Sequence, residues 1–151
     1  VVDAVTAASR DGCAVDQLRG FIRAVASEAI ARPHFPAMWL REVADGGVHL
    51  GPDVAAEIAR VVRVLGEILE QGAAEGDFVP AHPLIVQMNI VAPLLMFAAT
   101  AGARVKLAKA LPVAAAVDRD DFMLFVETAT LSALRLTAVA KPTVPSRRRP
   151  S

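Results

Sequence analysis

The sequence predicts an all-α domain of about six to seven helices, and three observations carry that prediction. Alanine dominates the 151 residues and tyrosine is absent, a composition that favours helices over strands. Apolar residues recur every three or four positions, and no stretch alternates apolar and polar residues for long. Hydrophobic residues make up 54% of the chain and charged residues 21%, enough apolar surface to form a core rather than leave the chain disordered.

The first half of the chain reads as four amphipathic helices separated by clear stop signals. Pro33 ends the second helix, and Gly46 and Gly47 end the third because glycine adopts the left-handed conformation that a helix end requires. Pro52 starts the fourth helix and Gly76 closes it. The predicted bounds are 1–9, 16–32, 35–45 and 52–76.

The second half is more apolar. A fifth helix, 83–101, has no charged residue, and a last helix, 118–138, has apolar residues on two faces; a short basic turn at 104–111 and a connector at 112–117 lie between them. The fifth helix is long enough to cross a bilayer, but its two prolines, one Asn and one Gln favour burial in protein over a membrane.

Two consecutive helices with double-sided apolarity predict a homodimer. In a chain of 15.9 kDa the simplest way to bury both helices is a four-helix bundle formed with a second copy. The residues expected at this dimer interface are Leu94, Phe122, Phe125, Val126, Ala129 and Ala133.

The charged residues are distributed unevenly between residues 1–140 and the C-terminal segment 141–151. The formal net charge is zero, but four of the 16 basic residues lie in 141–151, a Pro-rich segment expected to be a disordered basic tail. Residues 1–140 therefore hold 12 basic and 16 acidic residues, a net charge of −4, which is unfavourable for binding nucleic acid. The lone Cys13 and the lack of a signal-peptide pattern indicate a cytoplasmic protein.

Motifs for catalysis, metal and cofactors are absent from the sequence. Cys13 and the three histidines, His34, His49 and His82, lack metal-ligand spacing, and no phosphate-loop, dinucleotide or nucleophile-elbow motif occurs. We therefore expect no metal, no cofactor and no enzyme activity. Glu127 and His34 are the two titratable candidates that an enzyme hypothesis would have. Glu127 is expected to pair with Arg135 or lie at a bundle edge, with a cationic ligand group as the alternative.

Two short motifs carry a resemblance to a known family. The first is Ala31-Arg-Pro-His-Phe35, at the break between the second and third helices. The second is Glu70-Gln-Gly-Ala-Ala-Glu-Gly-Asp-Phe78 at the end of the fourth helix, followed by the apolar helix that opens at His82-Pro83. In their order and spacing these pieces resemble the C-terminal domain of TetR-family transcriptional regulators, and the likeness covers residues 1 to about 139.

The resemblance implies a ligand sensor. In that family an N-terminal helix-turn-helix domain binds operator DNA, while the C-terminal helical domain dimerises through its last two long helices and holds an effector. The helix-turn-helix is absent from these 151 residues, so residues 1–12 would be the end of the connecting helix and 1–140 the effector-binding and dimerisation domain. A repressor released from DNA by a small, mostly hydrophobic or aromatic effector is the expected function.

The expected effector site lies among the second to fifth helices. A soft, largely apolar lining suits such a ligand, with ordinary core packing as the alternative for each residue. The residues assigned to it are Phe21, Val25, Phe35, Met38, Trp39, Leu65, Leu69, Met88, Asn89, Ala92 and Met96.

Asn89 is assigned to the effector site because Pro93 lies four residues later in the same predicted helix. Pro93 cannot donate to the Asn89 carbonyl, so a kink would leave that carbonyl and the Asn89 side chain as a polar spot facing the effector. A kink that only fits the bundle is the alternative.

A different function class also fits the sequence: a homodimeric helical interaction module without a small-molecule site. A closed, mostly apolar cavity of about 300 Å³ or more among the second to fifth helices would favour the sensor.

Overall fold

The computed structural model describes residues 2–8, 12–32 and 34–135, and within these ranges it is helical with no strand. The all-α prediction is confirmed. The described helices are α1 (Val2–Ala8), α2 (Ala14–Ala31), α3 (Phe35–Ala44), α4 (Pro52–Glu75), α5 (Pro83–Ala99), α6 (Ala101–Leu107), a short 3-10 turn (Pro112–Ala115) and α7 (Arg119–Arg135). The predicted tail 141–151 and the predicted helix residues 136–138 lie outside the described ranges.

The helix boundaries predicted at Pro52, Gly76 and Gly46 are confirmed, whereas Pro33, expected to end the second helix, lies outside the described residues. Pro52 occupies the first turn of α4, and Gly76 ends that helix at a φ of +81°, which is the left-handed conformation expected of a helix end. Gly46 follows α3 with a φ of +80°. His82 accepts a hydrogen bond at Nδ1 from the Leu84 amide, 3.2 Å away, and so caps the start of α5.

The predicted fifth helix is shorter than expected because the chain bends at Thr100. Here α5 ends at Ala99 and α6 begins at Ala101, three residues before the predicted basic turn, with 57° between the two helix axes. Thr100 Oγ1 donates to the Met96 carbonyl at 2.7 Å, a bond that competes with regular helical pairing and bends helices.

Helix α2 forms the centre of the core and packs against α1, α4, α5 and α7. Its Leu18, Phe21 and Ile22 are almost fully buried, as are Leu65 of α4 and Ile90 of α5. Burying a side chain of this size stabilises the fold by about 1.5–3 kcal/mol. These residues therefore hold the helices in place around any site that the domain contains.

An ion-pair cluster joins α2 to α7. The Glu127 side chain is only 9% exposed, and its two oxygens lie 2.9 Å from Arg19 Nε and 3.4 Å from Arg23 Nε. The Arg19 contact is ionic without the alignment of a hydrogen bond. The expectation that Glu127 pairs with Arg135 or lies at an exposed edge is therefore wrong: α2 supplies both partners, since its Arg19 and Arg23 are one turn apart and face α7.

Within the described ranges, no single helix is both long enough and apolar enough to cross a bilayer. Helices α5 and α6 meet that test only together, as a pair broken by the 57° bend.

Candidate functional site

A cavity of about 410 Å³ lies where α5 bends into α6. It is half open to solvent and extends to α6 and α7, so it is not the closed cavity among the second to fifth helices that would favour a sensor. Its volume falls in the range of about 300–1,000 Å³ that small-molecule sites occupy. Helices α2, α3, α5, α6 and α7 all contribute to its walls. The lining residues are Ala26, Ala29, Pro36, Leu94, Phe97, Ala98, Ala99, Ala101, Gly102, Arg104, Arg119, Phe122 and Met123.

Small side chains at the helix junction explain why this space stays open. Ala98 and Ala99 end α5, Ala101 and Gly102 start α6, and none of the four has a side chain long enough to fill the angle between the two helices. A Cβ atom added to Gly102 would meet nothing within 4 Å. The 57° bend therefore produces a cavity instead of a packed corner.

Two phenylalanine rings and one arginine form the most ordered wall. The rings of Phe97 and Phe122 stack with their centroids 4.3 Å apart and 10° between their planes. The Arg104 guanidinium carbon lies 3.7 Å from the Phe97 centroid, and must cover the opposite face because Phe122 occupies the first. The stack, with its cation–π contact, holds Arg104 against an apolar surface.

Arg104 is also fixed by hydrogen bonds through one of its nitrogens. Its Nη1 donates to the Phe97 carbonyl and, at 2.9 Å, to Thr100 Oγ1. Among the described residues, no carboxylate lies within 4 Å of Arg104, and Nε and Nη2 have no acceptor. Arg104 lines the cavity, and two of its three guanidinium nitrogens thus have no protein acceptor among the described residues.

Arg119 provides a second positive charge at the rim. Its Nε lies 3.2 Å from Asp120 Oδ1, and its side chain is mostly exposed. Arg119 and Met123 also line a smaller adjoining cavity of about 110 Å³, together with Arg23 and Ser27. No acidic side chain of the described ranges lines either cavity.

None of the eleven predicted effector residues lines the 410 Å³ cavity. Phe21, Val25, Leu65 and Leu69 are buried in the core, which is the alternative that the sequence left open. Phe35 and Trp39 are half-buried and stack on each other, with centroids 6.0 Å apart. The other five residues, Met38, Met88, Asn89, Ala92 and Met96, are exposed.

The predicted dimer residues divide between the cavity, the core and the surface. Leu94 and Phe122 line the cavity, and Val126 is buried in the core. Phe125, Ala129 and Ala133 are exposed on α7, where Phe125 has 69% of its surface in solvent.

Exposed, uncharged residues recur along α5 and α7, and this set is here called the outer face. It consists of Ile85, Met88, Asn89, Ala92 and Met96 of α5 and Phe125, Ala129 and Ala133 of α7, all exposed. The two helices pack side by side, and Asn89 Nδ2 lies 3.5 Å from Thr130 Oγ1 across the seam between them. None of these eight residues is charged.

The described side chains that line the 410 Å³ cavity are apolar apart from those of Arg104 and Arg119. Among the described residues, this lining contains no histidine, cysteine, serine or carboxylate to act as nucleophile or base. His34 is exposed, and Glu127 is held by Arg19 and Arg23. In the part of the chain that the structure describes, no three His, Cys, Asp or Glu side chains converge to hold a metal ion.

Sequence reasoning missed both arginines of the cavity. Arg104 lies in a segment predicted as a short basic amphipathic turn, and Arg119 lies at the start of the predicted last helix. The sequence did contain one indication of a charged site here. Helix α5 has no charged residue, whereas α6, which follows it directly, contains Arg104 and Lys106.

Comparison with protein-family models, with curated proteins and with solved structures gives no match to this chain.

Proposed function

We propose that this chain is the ligand-sensing and dimerisation domain of a TetR-type transcriptional regulator, with a repressor as the expected form. The observation that carries the proposal is the 410 Å³ cavity, walled by five helices and lined mainly by apolar side chains. A half-open, mostly apolar pocket of the size that small-molecule sites occupy supports a sensor over a helical module that only assembles.

The outer face supports the dimer part of the proposal. Soluble monomers seldom expose an apolar surface over two neighbouring helices, and such a surface marks an interaction site. A two-fold axis through the outer face would pair α5 and α7 with the same helices of a second copy, giving a four-helix bundle.

The location of the cavity suggests how a ligand acts on DNA binding. In a dimeric helix-turn-helix protein the two recognition helices must lie about 34 Å apart, one turn of DNA. A ligand in the cavity contacts both α5, which carries the outer face, and α6, which leaves it at an angle. It would shift the dimer between two arrangements only by as much as its affinity differs between them.

Native mass spectrometry of the purified chain tests both parts of the proposal. We expect an ion series at twice 15.9 kDa, together with an added mass when a small molecule has co-purified or a screened apolar compound has bound. A dimer that takes up no compound from a broad screen of apolar ligands would favour the assembly module instead. A monomer at tens of micromolar would overturn the dimer proposal.

A further inference from the structure

We infer that the cavity selects a carboxylic acid with an apolar body, and that Arg104 binds its carboxylate; this inference rests on the proposed ligand-sensing function. The inference rests on the charged groups of the described lining, which are all positive. In the part of the chain that the structure describes, apolar residues form most of the wall, two arginines supply its only charged groups, and no acidic residue lines it. A site built in this way favours a ligand with one anionic end.

The hydrogen bonds that Arg104 already makes indicate which kind of anionic group it can bind. Nη1 is occupied by the Phe97 carbonyl and Thr100 Oγ1, so the unused donors are those of Nε and Nη2. These two nitrogens form the side edge of the guanidinium, whose parallel N–H groups match the two oxygens of a carboxylate. The stack of Arg104 on Phe97 and Phe122 fixes this edge in advance and lowers the entropy lost on binding.

The surroundings strengthen this preference. Arg104 lies against a ring and among alanines, where water screens charge less than it does at an open surface. Its charge is not neutralised by any carboxylate of the described residues within 4 Å. The free energy of pairing is therefore available to a ligand. Arg119, at the rim, adds a second and more solvated attraction to the same charge.

The apolar part of the ligand would lie along the alanine wall. Ala26, Ala29 and Ala98 line this part of the cavity, and none of them carries a polar side-chain group that would require a matching group on the ligand. A linear or singly branched hydrocarbon chain fits such a wall, whereas a sugar or nucleotide would leave its hydroxyl groups unpaired.

The test compares three ten-carbon compounds, decanoate, 1-decanol and decylamine, by isothermal titration calorimetry on the whole chain below their aggregation concentrations. Trp39, the only tryptophan, serves as a second, fluorescent readout. We expect decanoate to bind at least about tenfold more tightly than 1-decanol, since a hydrogen bond to a charged group commonly contributes that much, and decylamine to bind most weakly.

Arg104→Gln should remove the difference between decanoate and 1-decanol while the affinity for 1-decanol changes less than about twofold. The affinity for 1-decanol separates a binding role of Arg104 from a structural one, because a collapsed cavity would bind neither ligand. Arg60→Gln is the matched control: it removes one positive charge from an exposed ion pair with Glu57 on α4, far from the lining, and should leave both affinities unchanged. If Arg104→Gln fails to fold, Arg119→Gln should still lower the preference for decanoate by a smaller factor.

Equal affinity of the unaltered chain for decanoate and 1-decanol would overturn the inference and leave a neutral ligand sensor standing. Failure of all three compounds would overturn it as well. If apolar compounds of every other class also fail in native mass spectrometry, the sensing function itself is wrong.

Discussion

Phe78 lies directly over Gly72, in the space that a side chain at position 72 would need. A Cβ atom added to Gly72 would stand 2.7 Å from Phe78 Cγ and closer still to two other ring atoms. The chain returns to this point because the Phe78 amide donates to the Gly72 carbonyl at 3.0 Å, just after Gly76 ends α4. Phe78 is only 5% exposed and belongs to the hydrophobic core, so this contact is part of the core packing.

Gly72→Ala should therefore lower the free energy of unfolding by about 2 kcal/mol, since neither the ring nor the helix backbone can move freely to accommodate a methyl group. Gly66→Ala on the same helix is the control. Its added Cβ would lie 3.8 Å from Pro83, an ordinary contact, so the better helix propensity of alanine should raise stability by about 0.5–1 kcal/mol. Urea unfolding at one fixed protein concentration measures both variants. Equal shifts of the two midpoints would contradict the prediction.

Removing the Glu127 carboxylate should lower the free energy of unfolding less than removing both of its partners, Arg19 and Arg23. Glu127→Gln leaves Arg19 and Arg23, whose side chains are 41% and 64% exposed and keep part of their hydration, and should cost about 1 kcal/mol. The double change Arg19→Gln and Arg23→Gln leaves a carboxylate with 9% of its side chain exposed and without a cation, which should cost about 3 kcal/mol or more. Unfolding curves of the two variants provide the comparison, and the reverse order would show that the carboxylate is better hydrated than its burial indicates.

Glu75 should make stability depend on acidic pH. Gln71 Nε2 donates to its carboxylate at 2.6 Å and the Ala14 amide, at the start of α2, donates at 3.1 Å. The Gln71 bond and then the Ala14 bond lower the pKa of Glu75 in the folded chain. A lowered folded pKa means that the stabilisation is complete above the unfolded pKa and is lost as the pH falls through the folded pKa.

The difference in unfolding free energy between the unaltered chain and Glu75→Gln should thus be largest near neutral pH and shrink steadily through the acidic range. Gln71→Leu removes the first of the two donors and should narrow the pH dependence while leaving the Ala14 bond. Stability measured in urea from pH 7 to pH 3 tests this. A difference that stays constant over the whole range would exclude a role for the ionised carboxylate.

Much of the fold could be predicted because glycine and proline set its helix ends. Pro52, Gly46 and Gly76 act locally, through fixed or left-handed backbone angles, and such signals are readable without tertiary structure. The bend at Thr100 was not predicted, because a threonine whose hydroxyl bonds back to Met96 looks in the sequence like any other helical threonine.

The candidate site was harder to predict, for a reason that lies in α5. This helix has no charged residue, so no polar side identified which face points inward. Met88, Ala92 and Met96 were assigned to the effector site on their residue type alone, whereas the packing of α5 on α2, α4 and α7 turns them outward. Only tertiary structure brings Arg104, from beyond the bend, back onto Phe97.

Phe125 offers the most direct test of the outer face. It is 69% exposed on an uncharged surface, so Phe125→Glu should leave the monomer folded. In a dimer it would bury a carboxylate twice, once from each copy, at a cost of several kcal/mol per charge. We expect the variant to elute as a species of 15.9 kDa in size-exclusion chromatography with light scattering, while the unaltered chain elutes at twice that mass. Val48→Glu is the matched control, because Val48 is 76% exposed in the loop between α3 and α4, and it should remain dimeric. A Phe125→Glu variant that is still dimeric, with helical content unchanged by circular dichroism, would place the interface elsewhere and remove the outer face from the proposal.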